Sequence, residues 1–219
     1  LICNSGGAVA IVDFITEAKG PAGLPGIITL GYISSSDESL AMGVISAKGI
    51  PPLKEALNKD NNDSIKAAAA WSLGQIGGHT PDHARAMAEH DIPRLLLDLY
   101  KDPKSSEDVK KKAKKALKSI LHMCSYLNAL EPLIADCPHD ILEYVLHQFA
   151  KTLPIDNVAK KSFIQSGGLK KIQEIKVDPG NKLRQYIDEI NALYPLEIIQ
   201  YYSPGYEQTL WKRLDEESS

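Results

Sequence analysis

The sequence has few cysteines and no long apolar run. Its three cysteines, Cys3, Cys124 and Cys137, match none of the usual zinc or redox spacings. An odd, scattered set of this kind is typical of reduced thiols in an intracellular compartment. The apolar stretches fall short of the roughly 20 residues of a membrane span, and the start of the chain lacks the basic region and cleavage site of a signal peptide. We therefore expect no membrane and no secretory role.

A large excess of charge of one sign is also missing. Lys and Arg number 25 against 28 Asp and Glu, which gives a net charge of −3 at neutral pH. Proteins that bind duplex nucleic acid normally present a strongly basic surface, so nucleic acid is not expected as the main partner. With 43% apolar and 24% charged residues, the 219-residue chain has the composition of an ordinary soluble protein.

Sequence fingerprints of catalysis are absent. We find no P-loop, no Gly-x-Ser-x-Gly, no HExxH and no dinucleotide-binding motif. His79 and His83 are four residues apart, but Pro81 between them predicts a turn rather than one continuous metal-binding helix face. His122 lies near Cys124, and the sequence leaves a cysteine–histidine pair open, although the apolar stripe that runs up to Cys124 favours core packing. We expect no enzyme activity, no metal and no cofactor.

One short template recurs along the chain. Each copy places a small or turn residue before an apolar residue, with a second apolar residue three positions later, as in "GAVAIVDFI", "GIPPLKEAL", "DIPRLLLDL", "ALEPLIAD" and "GLKKIQEI". The first apolar positions are Ala8, Ile50, Ile92, Leu130 and Leu169, which are 42, 42, 38 and 39 residues apart. A period of this length is typical of helical solenoids or of propeller blades.

Helical spacing decides between these two architectures. Apolar residues follow each template at intervals of three and four, as at Ile65, Ala69, Leu73 and Ile76, and at Val109, Ala113, Ala116, Leu117, Ile120 and Leu121. Pro51 and Pro93 stand where a first helical turn tolerates proline. In "AAAAWSLGQIGG", residues 67–78, the alanines would let neighbouring helices approach closely, while Trp71 and Leu73 supply apolar area. The pattern predicts an all-α solenoid.

"GIPPL" and "AAAAWSLGQIGG" resemble the armadillo family, whose three-helix units carry Gly-x-Pro-x-Leu and Ala-Trp-x-Leu-x-Asn-Ile motifs. The resemblance covers residues 1–194 and is strongest over 37–123. It implies a right-handed α-solenoid of four to five armadillo repeats, the first truncated, followed by an aromatic-rich C-terminal cap or docking segment at 195–219. Because "LICNSGG" resembles the end of a first helix, we expect further repeats before Leu1.

In this family, asparagines on the third helix of each repeat hold extended peptides. The corresponding residues here are Tyr32, Gln75, Ser119 and about Lys151, of which only Gln75 keeps an amide donor and acceptor. Peptide binding of the nuclear-import type is therefore not expected. Trp71 occupies the position of the family's groove tryptophan. It is either a core or groove-lining aromatic residue that binds no ligand, or part of a peptide site. The candidate protein-binding groove consists of Tyr32, Trp71, Gln75 and Ser119.

A narrower resemblance rests on "LAMGVISAKGIPPL", "DIPRLLLDLYKD" and the ending "YPLEIIQYYSPGYEQTLWKRLDE". These stretches are similar to the armadillo proteins of the central apparatus of motile cilia and flagella, and "YYSPGY" is the most specific part. The resemblance implies a microtubule-associated scaffold in the cytoplasm and cytoskeleton, at the axoneme of the cilium or flagellum, required for motility. Its partners would be microtubules and other axonemal proteins. A general adaptor for linear peptides is the alternative.

Two further clusters are candidate interaction sites. The basic patch of "DVKKKAKKALK", formed by Lys110, Lys111, Lys112, Lys114, Lys115 and Lys118, is either a solvated helix face or a site for an acidic polypeptide such as the tubulin surface. The tail crowds together Tyr201, Tyr202, Tyr206, Leu210, Trp211 and Leu214. Their helical spacing predicts an amphipathic segment that either caps the last repeat or docks on a neighbouring subunit. An exposed repeat face or this tail would also support a homodimer.

Overall fold

The computed structural model describes residues 6–18, 20–58, 60–178, 180–206 and 211. All of its regular elements within these ranges are helices, as predicted. The chain divides into two compact units, residues 1–129 and 130–219. In the described part of the chain, no helix has both the length and the apolar character needed to cross a bilayer. The predicted boundary between repeats and tail at residue 194 stays a prediction.

The first unit contains three long helices that pack side by side. Its helices are α1 (Gly7–Glu17), α2 (Leu24–Ser36), α3 (Glu38–Ser46), α4 (Ile50–Ala56), α5 (Asp63–Gly77), α6 (Pro81–Glu89), α7 (Ile92–Lys101) and α8 (Glu107–Met123), with a 3-10 turn at Gly20–Gly23. The long helix α5 packs between α2 and α8. The order short, short, long therefore occurs twice in full, as α3–α4–α5 and α6–α7–α8.

Small residues set the close approach of the long helices. A Cβ added to Gly74 of α5 would lie 2.7 Å from the Cβ of Ala116 on α8, and one added to Gly31 of α2 would overlap the Trp71 ring. At the same interface, the Ser72 hydroxyl donates to the carbonyl of Ile27 at 2.8 Å. Leu73 is fully buried beside these contacts. Glycines, as well as the predicted alanines, thus give α5 its narrow packing faces.

A residue with a left-handed backbone conformation precedes each of the helices α1, α4 and α7 of the first unit. These residues are Gly6, Lys48 and Asp91, with φ of 79°, 60° and 59°. They are 42 and 43 residues apart, so by backbone position Pro93, rather than Ile92, corresponds to Ile50. The predicted repeat register is therefore one residue out at this turn, because one residue more separates Asp91 from Lys48 than separates Lys48 from Gly6.

Two histidines join α6 to the turn between α2 and α3. The Nε2 of His79 donates to the carbonyl of Ser34 at 2.6 Å, and the Nε2 of His83 donates to that of Glu38 at 2.9 Å. The Nδ1 of His83 is then free to accept from the Thr80 hydroxyl at 2.7 Å. As predicted, His79 precedes the helix, which begins at Pro81. Both side chains serve the packing of successive repeats.

The second unit contains one long helix, α10, and several shorter ones. After α9 (Leu127–Leu130), which ends at the unit boundary, come a 3-10 turn at Glu131–Leu133 and α10 (His139–Thr152), α11 (Asn157–Gln165), α12 (Gly168–Gln173), α13 (Lys182–Asn191) and α14 (Leu196–Tyr202). Helix α10 packs against α13, and α14 contacts α12. The rings of Phe149 and Phe163 meet in the core at a centroid distance of 4.7 Å. Gly167, with φ 82°, repeats the left-handed turn before α12.

The described cysteines are buried thiols. Cys124 and Cys137 are both buried and form no disulfide with another described residue, and burial raises the pKa of the Cys124 thiol. Cys124 follows the last residue of α8, at the end of the predicted apolar stripe. Core packing, rather than a reactive site, is thus its role. Cys3 lies outside the described residues.

Candidate protein-interaction surface

Tyr32 and Trp71 form an exposed aromatic pair across two long helices. Tyr32 lies on α2 with 65% of its surface exposed, and Trp71 lies half-buried on α5. Their rings meet edge to face, with centroids 5.0 Å apart and an interplanar angle of 66°. An aromatic pair of this geometry is a rigid apolar surface that remains accessible to a partner. We call Tyr32 and Trp71 the aromatic shelf.

A small pocket opens between α5 and α8 next to the shelf. Its volume is about 40 Å³, and it is lined by Trp71, Gly74, Gln75, Lys112, Lys115, Ala116 and Ser119. Three of the four predicted groove residues, Trp71, Gln75 and Ser119, therefore share one site. We call this the α5–α8 pocket. Tyr32 reaches the site through its contact with Trp71.

The pocket also contains two lysines that the sequence analysis assigned to a separate basic patch. Lys112, Lys115 and Ser119 are spaced three and four residues apart, so they share one face of α8. This spacing could have shown, from the sequence alone, that the two lysines lie beside the predicted groove residue Ser119. Which face of α8 meets α5 depends, however, on the packing of Gly74 against Ala116, and local sequence does not reveal that contact.

The six lysines of the basic patch divide into two groups. Lys110 pairs with Glu107 at 3.2 Å, the ammonium of Lys114 lies 5.1 Å from the ring centroid of Tyr100, and Lys118 also has a partner within the chain. By contrast, Lys111, Lys112 and Lys115 have no ion pair or ring contact within the residues that the structure describes. We call these three the unpaired lysines; only they are available to a partner without loss of an internal contact.

The polar network at the start of α5 holds this surface in place. A carboxylate oxygen of Asp63 accepts from the backbone N–H of Ser106, the N-cap residue of α8, at 3.0 Å, and Asp63 pairs with Lys66 at 2.7 Å. Hydrogen bonds from Lys66 and then from Ser106 lower the pKa of Asp63 to about 2. At neutral pH the carboxylate is charged, so it links the first turns of the two helices that form the pocket.

The remaining predicted residues lie in the second unit. Lys151 is exposed on α10. Helix α14 buries none of its residues, and Tyr201 stacks edge to face with Tyr202 and Tyr206 at centroid distances of 5.0 and 5.9 Å. Trp211 is exposed. Leu210 and Leu214 lie outside the described residues, so the predicted apolar stripe of the tail stays a prediction.

The comparisons with known sequences give one relative in two mammals. No protein-family model matches the chain. The chain is 54% identical over 165 residues to sperm-associated antigen 6 from Mus musculus and from Homo sapiens. The match covers 75% of this chain and 32% of each relative. The chain thus spans about a third of the length of the curated relatives it matches.

Designed armadillo repeat proteins are among the similar solved structures. A computationally designed armadillo repeat protein for modular peptide recognition aligns with a TM-score of 0.57 at 17% identity, over 94% of this chain and 87% of that one. A designed armadillo repeat protein in complex with the peptide (KR)4 aligns with a TM-score of 0.56 at 17% identity, over 90% and 84%. These likenesses confirm the predicted armadillo solenoid. The chain therefore has the fold of an armadillo-repeat solenoid, and it is similar in sequence to sperm-associated antigen 6 over three quarters of its length.

Proposed function

We propose that this chain is part of a non-enzymatic protein-interaction scaffold of the axonemal central apparatus, associated with microtubules and needed for ciliary and flagellar motility. The observation that carries the proposal is the 54% identity to sperm-associated antigen 6 over 165 residues. The proposed location is the cytoplasm and cytoskeleton, at the axoneme of the cilium or flagellum. Microtubules and other axonemal proteins are the proposed partners.

The surface of the first unit supports this proposal. The unpaired lysines Lys111, Lys112 and Lys115 lie together on α8, and the aromatic shelf lies beside two of them. Clustered positive charge attracts an acidic surface such as that of a microtubule, while exposed aromatic rings supply apolar anchoring area.

Co-sedimentation with microtubules tests the proposal. At low ionic strength we expect the wild-type chain to sediment with microtubules, and binding to weaken as salt screens the charges. Reversal of Lys111, Lys112 and Lys115 to glutamate should abolish this binding. The matched control reverses three exposed lysines of the second unit, Lys151, Lys161 and Lys170, and should retain it. Absence of wild-type binding, or an equal loss in both variants, would contradict the proposal.

A second candidate function is that of an adaptor for a linear peptide. It is favoured by the aromatic shelf and by Gln75 in the adjoining pocket. A designed armadillo protein of similar fold is known in complex with a linear peptide, (KR)4. A scaffold should bury its partners over a long surface, whereas an adaptor should bind a short peptide near Trp71. Loss of all partners on truncation of Trp71 to alanine would favour the adaptor.

The tail is proposed as a docking segment of the same scaffold. Helix α14 buries no residue and carries the exposed Tyr201. A variant that lacks residues 201–219 separates the two predicted roles. Retained folding with lost association, or loss of a homodimer in light scattering, supports docking, while a lower melting temperature or lost solubility supports a cap.

A further inference from the structure

We infer that Ser203 is a phosphorylation site for a proline-directed serine/threonine kinase, and that the phosphate loosens the last turn of α14. The sequence contains two pairs in which proline follows serine or threonine, Thr80-Pro81 and Ser203-Pro204. In the structure, the second pair is open to an enzyme and the first is held between packed helices. Only the consequence for tail docking rests on the proposed function.

The backbone at Ser203 already has the extended form in which a kinase holds its substrate. Ser203 directly follows the last residue of α14, with φ −70° and ψ 141°. Pro204 and Gly205 behind it are both exposed. Proline has no backbone N–H, and a proline-directed kinase selects a residue with that property after the acceptor. Because α14 buries none of its residues, no core has to open around Ser203.

The hydroxyl of Ser203 has a local partner that it can leave easily. It donates to the carbonyl of Ile199, one turn earlier on α14, at 2.8 Å. Rotation of the side chain to another staggered position breaks this bond and needs no movement of the backbone. The oxygen is then free to attack a phosphoryl group.

Thr80 has the same motif in a different setting. Its hydroxyl bonds to the Nδ1 of the buried His83, whose Nε2 donates to the carbonyl of Glu38 on another helix. The residues that follow Thr80 form α6, which begins at Pro81. A kinase can therefore bind Thr80 in extended form only after local unfolding of α6. Thr80 serves as an internal control for Ser203.

The product places negative charge at the end of a helix. Transfer of the γ-phosphoryl group of ATP forms a bond to the Ser203 Oγ, breaks the bond to ADP and releases the hydroxyl proton to the catalytic base of the kinase. Phosphoserine carries a charge of about −1.5 to −2 at neutral pH. The C-terminal end of a helix is itself negative, so it repels this group. The last turn of α14, with Tyr201 and Tyr202, should therefore open more often.

The test incubates the full chain with ATP and a proline-directed kinase and locates the phosphate by peptide mass spectrometry. Two synthetic peptides, residues 198–206 and 75–85, measure how fast each acceptor reacts without the fold. We expect Ser203 in the full chain to react within about tenfold of its peptide. Thr80 should react at least about a hundredfold more slowly than its own peptide, because only the locally unfolded fraction reacts.

Two variants control the assignment. Ser203→Ala should abolish the phosphate, and Pro204→Ala, which keeps the hydroxyl, should greatly slow the reaction. No phosphate on Ser203 of the full chain, equal protection of Ser203 and Thr80, or an unchanged rate in Pro204→Ala would overturn the inference.

Hydrogen exchange then measures the effect of the phosphate on α14. The backbone N–H groups of its last turn should exchange about two- to fivefold faster after phosphorylation, the change that corresponds to a charge at a helix end. Ser203→Ala loses the hydroxyl bond to Ile199 without a gain of charge, and its exchange should change less. Unchanged exchange in the phosphorylated chain, or the same change in Ser203→Ala, would refute loosening by the phosphate.

These measurements fail independently of the proposed function. If the tail docks as proposed, phosphorylation should weaken the association that is lost when residues 201–219 are deleted. A phosphate on Ser203 in a chain whose association does not need the tail would remove docking and leave the phosphorylation site intact. Association that needs the tail, with Ser203 unreactive, would remove the phosphorylation site alone.

Discussion

Substitution of Gly74 by alanine tests how the interaction surface is built. The added Cβ would lie 2.7 Å from the Cβ and 2.8 Å from the Cα of Ala116. Carbon atoms in ordinary contact are about 3.5 to 4.0 Å apart, so α5 and α8 would have to separate by about 1 Å. Since a Cα is backbone, no change of rotamer relieves the overlap.

Two opposing effects determine the sign of the stability change. Alanine gains about 1 kcal/mol over glycine in a helix interior, whereas overpacking of a close contact costs about 1 to 3 kcal/mol. We expect Gly74→Ala to lower the free energy of unfolding by up to about 2 kcal/mol.

Urea unfolding followed by Trp71 fluorescence in the Trp211→Phe background measures this change. Ser64→Ala, at an exposed position of the same helix, is the control and should be neutral or slightly stabilising. A Gly74→Ala variant that is more stable by about 1 kcal/mol would show helix propensity alone and refute the close packing of α5 on α8.

Four further substitutions probe other parts of the structure. Lys48→Gly should raise the free energy of unfolding by about 0.5 to 1 kcal/mol, because Lys48 has the left-handed φ of 60° that glycine adopts without strain. Gly167→Ala, at φ 82°, should lower it by about 1 to 2 kcal/mol. Urea titration measures both changes, and a destabilised Lys48→Gly variant would contradict the left-handed conformation of Lys48. Asp63 has a folded-state pKa of about 2, below the usual value near 3.8, so its contribution is present above pH 4 and is lost as the pH falls from about 4 to 2. Asp63→Asn should therefore lower the melting temperature at neutral pH and reduce its dependence on pH between about 2 and 4. A melting temperature that depends on pH as in the wild type would contradict this role of Asp63. Phe149→Ala should cost the second unit about 3 to 5 kcal/mol in urea unfolding, because the side chain is fully buried against Phe163, and a cost below about 1 kcal/mol would contradict that packing.

Much of the fold is predictable from the sequence because it depends on local patterns. The apolar residues of α8, from Val109 to Leu121, recur at helical spacing, and that spacing requires no knowledge of a partner helix. The short template of a turn residue followed by two spaced apolar residues recurs about every 40 residues and likewise identifies the repeats. The register at Pro93 was missed, since a single added residue between Lys48 and Asp91 leaves the apolar pattern of α7 intact.

The site was predicted less completely, because it depends on contacts between distant residues. The sequence identified Trp71, Gln75 and Ser119, yet it separated them from Lys112 and Lys115, which line the same pocket. The packing of one long helix on the next brings the two groups together. Local sequence equally could not show which lysines of α8 form internal pairs, since Lys114 depends on the ring of Tyr100 from another helix.

Zero-length cross-linking of the intact protein in a purified axoneme tests the central claim most directly, because carbodiimide joins lysine ammonium groups to carboxylates that touch them. We expect cross-links from Lys111, Lys112 and Lys115 to acidic segments of tubulin or of another axonemal protein. Cross-links confined to the second unit or the tail, with none from these three lysines, would contradict it.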